Sequence, residues 1–573
     1  MGDILLLALR RLRTPLIALI SAYAISVLGL TLMPGVDIGG KPADLGFFHA
    51  FYIVSYTATT IGFGELPFAF TDAQRAWVTF TIYLSVTCWA YALGSIFALA
   101  QDAGFRAAMA RSRFTAAVRS LDEPFYVIAG YGQSGVALAH ALDGLGFRTV
   151  VIELRAERVV GIDVEDYQNP PLALTADARW PEVLRDAGVT HKDCRALIVL
   201  VGNDEMAQAI AIGASVLQPD REVIARVHDR LAHSNLDSFP HIRVVDPFAT
   251  FATNLGLSLA APSVLWAEEW LTSAPGSGCP KCVSVPQGHW LIFGYGRFGH
   301  AVGQALECAG SSWTAIDSNM RLADEPHLQH SDNSEKSLRE AGIEHAVGVV
   351  ACTDRDAINL ALVSRARRAR PDLCVLIRQN HVADRSLIEA SRADLIFVKS
   401  EVMVRECLQL LISPLLNRFL MQVREQGKVM AERLIVRLLT ELDERVPNVW
   451  VFECDPVHPG LREILEHPGE APLRLDELMI DPMDPSNRLR AVPLLLERND
   501  QLDLLPDANT VLQAGDRVLF AGAIGVETRQ RRFLLDPSPL GFVRTGVEPP
   551  RSWLFRWLAQ RREAQQAKRP AEV

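Results

Sequence analysis

Charged side chains are missing from two long stretches near the start of the chain. Pro15 to Met33 is apolar and ends at Pro34-Gly35, and Ala76 to Ala100 is longer. At 1.5 Å rise per residue the first just crosses a hydrocarbon core of roughly 30 Å, and the second crosses it with some tilt. Both are expected to be membrane-spanning helices. Arg10, Arg11 and Arg13 precede the first; Arg106, Arg111, Arg113 and Arg119 follow the second. Positive charge on both outer flanks places both termini in the cytoplasm, and a bacterial inner membrane is the expected location. A basic start followed by an apolar run also describes a signal peptide. No small-residue cleavage site follows cleanly, so the first helix is expected to be retained. Ile4 to Leu9 is apolar and is expected to lie along the inner membrane surface.

Between the helices, Gly46 to Ala58 is apolar and aromatic, long enough for a re-entrant half-helix. It runs into Thr57-Ala58-Thr59-Thr60-Ile61-Gly62-Phe63-Gly64-Glu65. Backbone at membrane depth must be hydrogen-bonded or must line a wet cavity. The glycines suit the second role, because they permit conformations in which successive carbonyls point to one axis. A tight glycine turn in an ordinary loop is the plainer alternative.

Here the chain resembles the potassium-channel family. Thr60, Ile61, Gly62, Phe63 and Gly64 match its filter signature Thr-Val-Gly-Tyr-Gly, and Thr-Ala-Thr-Thr matches the pore-helix ending of two-helix bacterial channels. The resemblance covers about the first hundred residues. It implies a homotetramer in which four copies replace the water shell of K⁺ with carbonyl oxygens, the Thr60 hydroxyl adding the innermost ring. Thr59, Tyr56 and Glu65 flank this filter. Glu65 stands where the family usually has Asp, and Tyr56 where it often has an acid behind the filter. The usual hinge-glycine positions are Leu84 and Ser85, with Gly94 later. No arginine-rich helix precedes the pore, so steep voltage sensing is not expected.

Past residue 124 the pattern changes to short apolar runs alternating with helical stretches, and it occurs twice. Phe125 to Ala129 runs into Gly130-Tyr131-Gly132-Gln133-Ser134-Gly135. Trp290 to Phe293 runs into Gly294-Tyr295-Gly296-Arg297-Phe298-Gly299. A second apolar run then ends in an acid, Glu153 in the first copy and Asp317 in the second, at equal spacing from the last glycine. Ala176-Asp177 and Ser331-Asp332 continue the parallel, as do Asn203-Asp204-Glu205 and Asp354-Arg355-Asp356. A repeat of this length means two homologous domains with parallel sheets wound in Rossmann fashion. Each glycine motif follows a strand, opens a helix and has an acid placed for a ribose, which points to an adenine nucleotide such as NAD(H). Arg297 adds a phosphate contact or a surface ion pair. Glycines that serve only the fold remain the alternative for each copy.

The repeat resembles the regulator of K⁺ conductance (RCK) domains, over roughly Glu123 to Asn380. That implies pairing through helices after the Rossmann cores, for which Pro247 to Thr272 and Val402 to Gln422 are candidates. It also implies a ring of eight domains beneath the pore, coupled to it by Gln101 to Asp122. The expected organisation is a helical membrane pore with connector at 1–122, a first RCK domain at 123–275, a linker at 276–288 and a second RCK domain at 289–447. A small α+β domain at 448–535, of the type that follows RCK domains, and a tail at 536–573 complete it.

Composition narrows the reading. A net charge of −10 without a dominant basic block argues against nucleic acid. A hydrophobic fraction of 49% and a mean hydropathy of +0.13 fit a short membrane region on a large soluble body. Nine scattered cysteines suggest reduced thiols. Cys279 and Cys282 make half a zinc site, with only His289 near by, so an ordinary loop is favoured. Asp204 and Glu205 are hard ligands of the type Ca²⁺ takes, without an assembled cage. The tail Arg551 to Val573 combines Trp553, Phe555 and Trp557 with basic residues and is more simply an exposed or packed helix than a membrane contact. The expected function is a ligand-gated K⁺ channel and not an enzyme. The alternatives are a membrane-tethered NAD-dependent oxidoreductase, for which no catalytic constellation is present, and a non-conducting nucleotide sensor.

Overall fold

The computed structural model describes residues 2–37, 39, 41–65, 69–273, 275–280, 285–318, 327–330, 335–442, 444–466 and 472–546. Cys282, Ser331-Asp332 and the tail from Arg551 lie outside the described residues. The chain divides into two compact units, Met1–Val127 with Phe147–Arg195, and Ile128–Gly146 with Ala196–Val573.

The first unit opens with α1 (Gly2–Leu32), α2 (Phe47–Ala58) and α3 (Asp72–Gln101). Leu9–Leu32 and Asp72–Gln101 are long and apolar enough to cross a membrane. Gly29 lets α1 and α3 touch: a Cβ there would lie 2.0 Å from the Trp77 ring. The Trp77 indole N–H donates to the Ser26 carbonyl at 3.0 Å. The buried face of α2 (Ala50, Ile53, Val54 and Tyr56) packs with Val27, Leu30 and Phe70. A capping box of Thr71 and Gln74 starts α3. Ile4 to Leu9 is helical. It belongs to α1, which runs unbroken through Pro15, because its Leu, Ala and Arg residues favour helix strongly enough to carry one proline.

The connector is itself helical, α4 (Ala103–Arg119), with the Asp102 carboxylate accepting from the Phe105 N–H at 2.8 Å. Its Phe114 and Val118 are buried. Gly188, with φ of +81°, makes the space: a Cβ there would sit 2.7 Å from Val118 and 3.0 Å from Phe125.

Twelve strands follow the predicted repeat. β1 (Phe125–Ala129), β2 (Arg148–Glu153), β3 (Leu172–Thr175), β4 (Cys194–Val199), β5 (Glu222–Arg226) and β6 (Ile242–Val245) form one sheet in the order β3-β2-β1-β4-β5-β6. β7 (His289–Phe293), β8 (Ser312–Asp317), β9 (Leu328–His330), β10 (Gly348–Ala351), β11 (Cys374–Gln379) and β12 (Leu395–Val398) form a second with the corresponding order β9-β8-β7-β10-β11-β12. Every pairing in the second sheet is parallel. The central strands are continuously apolar because helices cover both faces.

Within the second unit the repeats exchange helices. The helix Pro247–Ala260, which follows β6, packs on Arg297–Cys308 of the second repeat. The helix Lys399–Ile412, which follows β12, packs on α5 (Gln133–Gly144) of the first. Phe248, Leu255 and Leu259 thereby join Trp290, Phe298, Val302, Leu306 and Phe397 in one core.

C-terminal to the repeats, strands Asn448–Glu453, Arg517–Gly522, Ala491–Arg498 and Gln501–Leu504 form an antiparallel sheet in that order. One face packs on the helices Pro414–Gln426 and Lys428–Glu441, and the other holds Trp450, Phe452, Phe520 and Phe533. The Glu268 carboxylate, with its side chain 7% exposed, accepts from Arg424 Nη2 at 2.7 Å and so ties helix Pro262–Thr272 to Pro414–Gln426. Removing one partner of a buried pair leaves an uncompensated charge. Arg424→Ala is therefore expected to destabilise this part by about 3–5 kcal/mol. Calorimetric melting of the purified protein reads the loss, and adding Glu268→Met should recover much of it.

Candidate functional site

Three positive φ angles alternate through the glycine stretch after α2: Thr60 at 62°, Gly62 at 65° and Gly64 at 97°. Left-handed backbone costs a β-branched Thr more than a glycine, so the conformation is held by its surroundings. The N–H groups of Ile61 and Gly62 both donate to the Tyr56 carbonyl, at 2.9 and 3.2 Å. The Tyr56 hydroxyl donates to the Gly64 carbonyl. The Phe63 ring packs against Tyr56 at 5.6 Å and Tyr52 at 6.3 Å. Glu65 is fastened by Arg75 Nε at 2.9 Å and the Phe70 N–H at 2.8 Å. The Thr59 hydroxyl donates to the Ser55 carbonyl at 2.8 Å. Among the described residues no donor reaches the carbonyls of Thr60, Ile61, Gly62 or Phe63, and all five residues from Thr60 to Gly64 are exposed on the single chain. In sequence, Tyr56 is only the site of a missing acid. In the fold it is the brace of the loop, a contact that residue type alone does not announce.

The two glycine motifs have matching geometry. Gly130 and Gly294 have φ of +102° and +98°, and a Cβ at either would strike the chain after the fourth strand of its sheet, Leu200-Val201 or Cys352-Thr353, at 2.8–3.0 Å. A Cβ at Gly135 or Gly299 would lie 2.2 or 2.1 Å from the carbonyl oxygen of Gly130 or Gly294, which is the close packing of helix on strand that the third glycine provides. Gly132 and Gly296 are the N-caps of α5 and of Arg297–Cys308, and nothing lies within 4 Å of a Cβ at Gly296. Such a helix start is open to an anion. Asp317 ends β8, and its carboxylate accepts from the Tyr295 N–H at 2.6 Å. In the first unit Glu153 ends β2 and accepts from the Arg155 N–H at 3.0 Å and from Arg158 at 3.3 Å. Asp177, just past β3, holds Arg179 at 2.6 Å. That guanidinium keeps the Asp177 carboxyl below its ordinary value.

Arg297 sits beside other cations. Its guanidinium carbon lies 5.9 Å from the Phe248 ring centre, Arg378 lies 5.5 Å away and Lys399 Nζ 5.2 Å. His228 stacks on the same ring at 4.9 Å and bonds Asp246 at 2.8 Å, with Lys399 Nζ 3.4 Å from its other nitrogen. Burial, then the charges of Arg226, Arg297 and Arg378, bring Lys399 down to about 7, with Asp246 opposing. Burial likewise lowers Arg226 and Arg378. The sequence singled out Arg297 but not Arg226, Arg378 or Lys399, which come from the ends of β5 and β11 and from the residue after β12.

The fold places each candidate metal ligand that lies among the described residues. Asp204 accepts from the N–H groups of His228 and Asp229 at 3.0 and 2.9 Å, while Glu205 is exposed. His289 is engaged by Ser312 and Thr314 at 2.9 and 3.2 Å, and burial lowers its imidazole. Cys279 packs beside the helices of the C-terminal core, with burial raising its thiol. Among the described residues no three His, Cys, Asp or Glu side chains converge on a metal position.

Comparison with known proteins agrees with this architecture. Residues 16–102 match the family model described as "Ion channel", and residues 126–247 and 290–399 match the TrkA-N domain. Potassium channel protein 1 of Methanocaldococcus jannaschii is 25% identical over 180 residues, 31% of this chain and 52% of that one. Probable potassium channel protein 2 of the same organism is 30% identical over 96 residues, 15% of this chain and 28% of that one. The chain thus spans about half or less of the length of these relatives. Among solved structures, a GsuK channel aligns over 93% of this chain and 99% of its own, with 15% identity and a TM-score of 0.48. The class is that of membrane proteins with a two-helix ion-channel unit and tandem Rossmann-type domains. The chain carries an ion-channel unit at 16–102 and two TrkA-N domains, at 126–247 and 290–399, and is similar to potassium channel proteins.

Tyr56→Phe removes the hydroxyl from Gly64. The lost hydrogen bond is worth about 1 kcal/mol, so the loop should leave its open-carbonyl geometry several-fold more often. Single-channel recording reads this as a shorter conducting dwell time. Lys399 carries a proton-linked cost. Its folded pKa lies below its unfolded value, so the cost is complete below pH 7 and disappears as pH rises toward 10. Lys399→Met should therefore raise the melting temperature at pH 6.5, and its advantage over wild type should shrink steadily by pH 9.5.

Proposed function

We propose that four copies of this chain form a K⁺-selective channel in the cell membrane, with both termini cytoplasmic, gated by a nucleotide acting on the RCK portion. The observation that carries the reading is the backbone of Thr60 to Gly64. It follows a half-helix between two apolar helices, alternates left-handed conformations and, among the described residues, has four consecutive carbonyls that no donor reaches. Unpaired carbonyls at membrane depth are tolerated where they line an ion path. The potassium-channel names of two relatives support the choice of ion. A bacterial inner membrane is the location that fits the charge flanks.

The nucleotide half rests on the second repeat. Gly294 turns the chain, Gly296 leaves room for a pyrophosphate at a helix start, and Asp317 stands at the end of β8 where a ribose would displace the Tyr295 N–H. The connector α4 packs on its own RCK portion through Phe114 and Val118, so movement there would pull directly on α3. Coupling between ligand and gate requires different nucleotide affinities in the two pore states. Asp204 is occupied by backbone N–H groups, which leaves Ca²⁺ the weaker choice of ligand.

The test is K⁺ flux through purified protein in liposomes, with Na⁺ as control and NAD⁺, NADH, ATP and Ca²⁺ added singly. K⁺-selective flux altered by one nucleotide is expected. Gly62→Ala places a side chain at φ of +65° and should abolish the flux while nucleotide binding persists. Flux that survives Gly62→Ala would sink the filter reading. NADH turnover without flux would replace the channel with an oxidoreductase.

A further inference from the structure

A single residue separates α3 from α4. Asp102, with φ of −62° and ψ of 123°, ends the one helix and caps the other. Its carboxylate has two tasks. One oxygen, Oδ1, accepts from the Phe105 N–H at 2.8 Å and so starts α4. The other, Oδ2, accepts from Arg11 Nη1 at 2.6 Å and so ties the joint to α1. Among the described residues Arg10 and Arg13 on α1 and Arg106 on α4 form no ion pair, so the attachment is one particular pair and not a general attraction. Further along α4, Arg111 Nε donates to the Asp186 carboxylate at 2.6 Å, and Phe114 and Val118 are buried. The helix α4 is thus fastened at its start to the apolar helix α1 and, beyond, to the RCK portion. Between the two attachments and α3 lies the joint at Asp102.

We infer that Arg11 and Asp102 form a latch on the α3–α4 joint, which holds the end of α3 against α1 and biases the gate according to whether the pair is made or broken. While the pair is made, a pull on α4 must move α1 as well. Once it breaks, rotation about the backbone of Asp102 alone re-aims α4 relative to α3, because the residues on either side of it are helical. The pair is partly exposed, Arg11 at 56% and Asp102 at 25%, so it makes and breaks readily. On its own such a pair shifts an equilibrium by only about two- to fivefold. In a symmetric assembly every chain carries the same pair, and four chains that open one pore together multiply the factor to about tenfold or more. A bias of that size holds one state of the gate and still yields to the differential binding energy of a ligand. The consequence for gating rests on the channel reading above; the attachment of the joint to α1 does not.

The experiment is single-channel recording of the purified full-length protein in planar bilayers, comparing wild type with Arg11→Gln, Asp102→Asn and the double variant. Asparagine caps a helix as well as aspartate does, so Asp102→Asn removes the charge and keeps the start of α4. Each single variant is expected to change the ratio of open to closed time by about tenfold or more, both in the same direction. The double variant should go no further than either single one, as for two residues that act through one contact. Arg11→Lys should restore much of the wild-type ratio. Choline chloride added on the cytoplasmic side at constant K⁺ screens an exposed pair, so it should move wild type toward the variants and leave the variants where they are. Hydrogen exchange of the backbone from Asp102 to Arg106 gives a reading that needs no current, and Arg11→Gln is expected to speed it. Unchanged ratios in both single variants, opposite changes, or effects that simply add in the double variant would overturn the latch and leave the channel reading in place. No K⁺ current in wild type would remove the channel reading instead. The attachment of the joint then stands if exchange is faster in Arg11→Gln and falls if it is not.

Discussion

Phe248 belongs by sequence to the first repeat, but its ring is buried in the core of the second, against Phe298 and Phe397 at 5.7 Å each. The helix that carries it is exchanged for Lys399–Ile412, which covers α5 in return. Neither Rossmann repeat has a complete core without the other's helix. Two apolar faces that would be costly to expose are covered reciprocally, at roughly 25 cal/mol per Å² of apolar surface. The position of each glycine loop beside the other repeat's charges, and the crowding of cations around Phe248, both follow from this exchange.

The membrane unit answers a different constraint with similar economy. Lipid offers no partner to backbone groups, so each carbonyl and N–H must be paired or must line a wet path. Tyr56 satisfies three of them: its carbonyl takes two N–H groups of the glycine loop and its hydroxyl reaches Gly64. Glu65, held by Arg75 and the Phe70 N–H, fixes the chain that follows the loop. Local strain at Thr60 is sustained by these attachments rather than by the residue's own preference.

Much of the fold was legible because its signals are local. Charge-free length marks α1 and α3, and the doubled strand–glycine–helix pattern marks two sheets of the same order. The helical nature of the connector was harder to see, since α4 shows only Phe114 and Val118 as a buried stripe among arginines. Continuity of α1 through Pro15 was missed for a similar reason: a proline and a change from apolar to basic residues both suggest a boundary that the backbone does not need. For the candidate sites, the glycines stand out in sequence because their missing side chains are a backbone requirement. Tyr56, Arg226, Arg378 and Lys399 do not, because an ordinary tyrosine, arginine or lysine acquires its role only from its neighbours.

The chain's sequence alone therefore determined which segments are apolar enough to span a membrane, where the backbone must turn left-handed or approach closely, and that one domain design occurs twice. Each of these is a property of a short window of residues, governed by solvation and backbone sterics. Tertiary structure alone decided which repeat each crossing helix serves, what braces the Thr60 to Gly64 loop and which charges share one site. Those outcomes depend on burial and Coulomb interactions between residues such as Arg226 and Lys399, far apart in the chain, and no local pattern encodes the distance between them.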